Sequence, residues 1–181
     1  MTSINKVNAG ENPPKVINLI IENSANSHPI NYEYNKEIGL LQVDRFLSTA
    51  MHYPCNYGFV PQTYAEDGDP VDVLILTQFS LMPKIIISVR PIEVLSMSDE
   101  AGADAKILSV PTSEVDPYYD NINSYSDLSK SLLDKIAHFF SHYKQLEQNK
   151  EVKVEGWHGI EKAHKIIETG LLTSSQKFKS S

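Results

Sequence analysis

Apolar positions in the first two thirds of the chain come in short runs broken by turn residues. Residues 16–22 (VINLIIE) are one such run, strand-sized and ending on Glu22. Residues 30–34 alternate, NKEIG supplies a turn through Asn35 and Gly39, and LLQVDRF at 40–46 returns, which predicts a β-hairpin. Residues 53–60 are aromatic and extended, since Pro54 and Gly58 argue against helix. Residues 71–77 and 85–95 read as β-branched strands separated by a loop holding Pro83, and 105–110 as another strand, closed by Pro111.

After Ser126 the period changes. Leu128, Leu132, Ile136, Phe139, Tyr143 and Leu146 step by 4, 4, 3, 4 and 3, one face of an α-helix that Ser126 or Asp127 can cap. A short strand at 152–155 and a weaker helix at 160–170 follow, and the tail at 171–181 is expected to fray. The predicted fold is mainly β with flanking helices, a small closed β-barrel with two α-helices in the C-terminal half. Periodicity alone does not separate barrel from sandwich. No repeat or linker divides the chain, so a single domain is expected over residues 1–181.

Charge narrows the function classes. Twenty-three acidic and 16 basic residues give a net −7, which argues against a nucleic-acid binder that lives on phosphate contacts. No apolar run approaches the ~18–20 residues of a membrane helix. The first residues, MTSINKVNAGENPP, lack a signal-type apolar stretch, so a cytoplasmic protein with no membrane partner is expected. Cys55 is the only cysteine, which excludes an internal disulfide and a multi-cysteine metal site.

The acidic residues are not evenly spread. EDGDPVD at 66–72 places four carboxylates in seven positions with no base among them. Gly68 relaxes the backbone between Asp67 and Asp69, and Pro70 prevents helix, so the carboxylates sit on a tight loop with Asp72 at the mouth of a strand. Hard oxygen ligands on a rigid piece suit Mg²⁺ or Mn²⁺; a solvated acidic turn is the competing reading. The calcium-loop pattern fails, because Val71 and Asp72 stand where Asp or Asn and then Gly are required. A second loop, DEAGAD at 99–104 followed by Lys106, abuts another strand. Two such loops make a shared multi-metal site of the kind used in phosphate transfer more favourable than either alone. Arg45, Lys106, Lys144, Tyr53, Tyr57 and Tyr143 are candidates for phosphate oxygens, although each also reads as ordinary core or surface. His138 and His142 are spaced i, i+4 but lack the Glu of a zinc-protease motif, Cys55 has no base beside it, and no GxGxxG or Walker loop occurs.

At this point the residues match a pattern. DGDPVD at 67–72, YEYNKEIGLLQVDRFLSTAMHYPCNYGFVP at 32–61, SDEAGADAK at 98–106, IAHFFSHYK at 136–144 and VKVEGW at 152–157 resemble the soluble family I inorganic pyrophosphatases of bacterial type, over a core of about residues 15–168. The resemblance implies a five-stranded OB-like barrel, an inorganic diphosphatase cleaving pyrophosphate to two orthophosphates with a metal-activated water, and a homohexamer. It implies two or more Mg²⁺ per site, with Mn²⁺ or Zn²⁺ as substitutes. Asp67, Asp72 and Asp104 would be metal ligands, with Asp99 and Glu22 close by. Asp69 would be the general base. Arg45, Tyr57, Lys106, Tyr143 and Lys144 would hold phosphate, and Glu33 and Tyr53 would shape the cavity.

One position departs from that pattern. Where the family's motif has the lysine of PIKYE, this chain reads PINYE, so Asn31 stands at a substrate-binding position with no charge. Losing a cation there is expected to weaken substrate grip. Glu151 replaces a usual aromatic residue, a lesser departure. Asn31 also motivates the alternative of a non-hydrolytic phosphate- or metal-binding paralogue on the same barrel.

Overall fold

The computed structural model describes residues 6–35, 38–100 and 102–179. Lys36 and Glu37 of the hairpin turn, Ala101 of the second acidic loop and the outermost residues of both termini lie outside the described residues. Nine strands and two α-helices are described: β1 Ile17–Asn23, β2 Ile30–Asn35, β3 Leu40–Phe46, β4 Asn56–Phe59, β5 Asp72–Ile75, β6 Ile86–Asp99, β7 Gly102–Ala103, β8 Lys106–Pro111, α1 Lys130–His142, β9 Val152–His158 and α2 Ile160–Lys179.

Strand pairing resolves what periodicity left open. β1 pairs antiparallel with β4 on one side and with β6 on the other, and the path β1–β4–β5–β8–β6 returns to β1. Five strands therefore close on themselves, the OB-like barrel of the expected class, with β5 and β8 its only parallel neighbours on that path. β2 and β3 form the predicted hairpin as a separate two-stranded sheet. Closure needs one very close approach. A Cβ on Gly58 of β4 would lie 1.8 Å from the Ile20 carbonyl oxygen of β1, so only glycine fits. Pro91, which cannot donate to a ladder, sits where the β6–β8 register slips.

Alternate strand residues divide between two apolar clusters. Leu74, Leu95, Leu108 and Val110 pack with Leu133, Ile136, Phe139 and Phe140 of α1. Val73, Ile75, Val94 and Ile107 pack with Ala163 and Ile167 of α2. Cys55 lies in the first cluster, its thiol pushed up to about 12 by burial, in keeping with a small apolar residue.

Two helix boundaries differ from expectation. α1 begins at Lys130, not near Ser126, because Ser129 is the cap that accepts from the Leu132 N–H. Residues Tyr125–Asp127 instead form a short 3₁₀ turn closed by Ser124 and Asp127, and Leu128 is extended. Leu146, read as part of the apolar face, lies beyond the helix end and is 65% exposed. The tail expected to fray from residue 171 continues α2 to Lys179. Gly170 looks like a helix stop in sequence, but it is a contact point: a Cβ there would meet Val71 Cγ2 at 2.9 Å. Among the described residues, no helix is long and apolar enough to cross a membrane.

Candidate active site

A cavity of about 580 Å³ opens at one end of the barrel, beside the hairpin. All fourteen residues named from sequence line it: Glu22 of β1, Asn31 and Glu33 of β2, Arg45 of β3, Tyr53, Tyr57 of β4, Asp67, Asp69, Asp72 of β5, Asp99 at the end of β6, Asp104, Lys106 of β8, and Tyr143 and Lys144 past the end of α1. Seven strands and the end of one helix thus deliver side chains to one place. Asp44, Glu100 and Lys150 line the cavity too, beyond the residues expected from sequence.

The loop before β5 is held rigidly. Gly68 has φ +92°, a conformation that favours glycine, and Asp67 Oδ1 accepts the Asp69 backbone N–H at 2.9 Å. Behind it the Val71 N–H donates to Thr63 Oγ1 at 3.0 Å, and that hydroxyl donates to the Val60 carbonyl at 2.7 Å. Asp67 and Asp69 are exposed to the cavity, whereas Asp72 begins β5 and is half-buried. On the opposite side, the buried Glu22 Oε1 accepts the Tyr34 backbone N–H at 2.7 Å, tying the hairpin to the barrel.

Each cation of the cavity is paired. Lys106, 3% exposed, forms ion pairs with both Asp72 and Asp104. Burial alone would lower its pKa, but the two carboxylates hold it above the ordinary lysine range. Burial and the neighbouring Asp104 raise Asp72, against the pull of Lys106. Lys144 Nζ lies 2.9 Å from Asp99 Oδ2, and Lys150 pairs with Glu100. Arg45 NH1 lies 2.6 Å from Asp44 Oδ2 and its Nε 3.1 Å from Glu147 Oε1. Tyr53 and Tyr57 are pushed well above the ordinary phenol range by burial, and Tyr143 is raised by the same cause, so all three keep a proton to donate.

The cavity is strongly negative. Nine carboxylates (Glu22, Glu33, Asp44, Asp67, Asp69, Asp72, Asp99, Glu100, Asp104) face four cations (Arg45, Lys106, Lys144, Lys150), an excess of five negative charges. Among the described residues, no three His, Cys, Asp or Glu side chains already stand together as a metal cluster. Ammonium groups take that place instead, Lys106 between two carboxylates and Lys144 on a third. The donor set fits a hard divalent cation: the lining supplies carboxylate oxygens and contains no histidine or cysteine.

A family model described as inorganic pyrophosphatase matches residues 19–174. The chain belongs to that family. It is 50% identical over 168 residues to the inorganic pyrophosphatase of Rhodospirillum rubrum, covering 93% of this chain and 94% of that protein. It is 53% identical over 161 residues to the Escherichia coli inorganic pyrophosphatase, covering 89% and 92%. The crystal structure of an inorganic phosphatase from Anaplasma phagocytophilum superposes with a TM-score of 0.92 at 52% identity, covering 93% of this chain and 99% of that one. The residues matched by the family model, 19–174, include every residue lining the cavity.

Proposed function

We propose that this member of the pyrophosphatase family is an inorganic diphosphatase, hydrolysing pyrophosphate to two orthophosphates with Mg²⁺ in the cavity. The observation that carries the reading is the convergence of five carboxylates on two acidic loops (Asp67, Asp69, Asp72, Asp99 and Asp104) with Arg45, Lys106 and Lys144 in one cavity. A bare pyrophosphate anion is repelled by an excess of five negative charges, whereas the same carboxylates attract divalent cations.

Asp67, Asp72 and Asp104 would hold Mg²⁺, with Asp99 and Glu22 close by, and Mn²⁺ or Zn²⁺ could substitute. Magnesium bound there supplies the positive charge that admits the substrate and makes coordinated water more acidic. Asp69, on its rigid loop, accepts the proton of the attacking water. Arg45, Lys106, Lys144 and the protonated Tyr57 and Tyr143 donate to phosphate oxygens and stabilise charge on the leaving phosphate. Glu33 and Tyr53 form the wall. A homohexamer is carried over from the resemblance alone.

The second reading, a paralogue that binds without hydrolysis, is favoured only by Asn31. One assay separates them. Orthophosphate release from pyrophosphate is expected with Mg²⁺ and absent in EDTA, with Mn²⁺ and Zn²⁺ tested as substitutes; binding without release would establish the second reading.

A further inference from the structure

Asn31 and Arg45 are cross-strand partners in the β2–β3 hairpin, beside a register slip that follows Asn31. Three hydrogen bonds hold the Asn31 amide. Its Oδ1 accepts from the Tyr53 hydroxyl at 2.5 Å and from Asn23 Nδ2 at 3.3 Å, and its Nδ2 donates to Asp44 Oδ2 at 2.9 Å. A carboxylate paired with arginine only accepts, so the NH₂ end of the amide must be the one facing Asp44. The same Asp44 oxygen accepts from Arg45 NH1 at 2.6 Å. On its other side Arg45 forms an ion pair with Glu147 that lacks hydrogen-bond alignment, and its guanidinium lies 5.9 Å from the centre of the Tyr143 ring.

We propose that Asn31 is a positioning residue that acts on substrate binding through Asp44 and Arg45, not a group that grips phosphate itself. The inference rests on Arg45 being a phosphate ligand, as read above. A neutral amide donor aims the Asp44 carboxylate without competing for its charge, so Asp44 remains the counter-ion of Arg45. A guanidinium held in place before substrate arrives loses less freedom on forming its fork to phosphate. A charged ammonium at position 31 would pair with Asp44 directly and leave Arg45 to Glu147 alone. The absent charge at 31 is thus exchanged for a fixed Arg45.

The test is a double-mutant cycle on Asn31→Ala, Asp44→Ala and the pair, with Asn31→Asp as a second probe. Asn31→Asp keeps an acceptor for Tyr53 and Asn23, removes the donor to Asp44 and sets a like charge against it, so it should disturb Asp44 and Arg45 more than Asn31→Ala does. With Mg²⁺–pyrophosphate, KM is expected to rise roughly three- to tenfold in Asn31→Ala and Asn31→Asp while kcat changes by less than about twofold. The double variant should have the KM of Asp44→Ala. Unchanged KM in Asn31→Asp, or single effects that multiply in the double variant, overturns the proposal, as does a loss confined to kcat. Wild-type protein that releases no phosphate refutes the hydrolase reading instead. The cycle is then read from the Kd of methylenediphosphonate with Mg²⁺, with the same pattern required.

Discussion

The Asp69→Asn variant is expected to fold, to bind metal about as well as the wild type, and to lose roughly 10²–10⁴-fold in turnover. The substitution is nearly isosteric, and Asp69 is tied into its loop through its backbone N–H to Asp67 Oδ1, which the change leaves in place. The loop is further fixed by the Ala65 N–H, which donates to the Asp69 carbonyl at 2.6 Å. What disappears is a carboxylate able to take a proton from water at neutral pH. Orthophosphate release at saturating Mg²⁺ checks this, with far-UV circular dichroism to confirm the fold. Turnover within about threefold of wild type would remove Asp69 from the role of base.

The second large effect is on stability. Lys106 is nearly inaccessible and is the common partner of Asp72 and Asp104. Removing one member of a buried ionic cluster leaves the others uncompensated, which typically costs about 3–5 kcal/mol. Lys106→Met keeps most of the side-chain volume and deletes only the charge. Metal-free Lys106→Met protein is therefore expected to unfold at markedly lower urea concentration than the metal-free wild type. Millimolar Mg²⁺ should restore part of the difference, since a cation bound between Asp72 and Asp104 neutralises carboxylates that only the variant leaves without a counter-ion. Equal urea midpoints without metal would show that Lys106 is not the counter-ion of that cluster.

Much of this site was readable from residue order, for identifiable reasons. DGDPVD carries its own conformational instructions, Gly68 at positive φ and Pro70 barring helix, so a rigid acidic loop followed from local chemistry. The hairpin was equally local: alternation, a turn with Asn35 and Gly39, and alternation again. Tertiary partners were harder to see. Leu146 continues the helical period, yet the helix has ended before it, and Gly170 reads as a stop although its role is to let Val71 close in. Asp44 carries no mark in the sequence, because residue order does not show that Asn31 and Arg45 share its oxygen. Lys106 as a counter-ion could have been anticipated. It lies two residues after Asp104 at the start of a strand, a spacing that suits side chains on one face.

The central claim is that the cavity takes up its anion only together with divalent cations. Calorimetric titration with methylenediphosphonate, which cannot be hydrolysed, tests it without relying on turnover. Saturable binding in the presence of Mg²⁺ and none in EDTA is the predicted result. Binding of similar strength in EDTA would contradict the account.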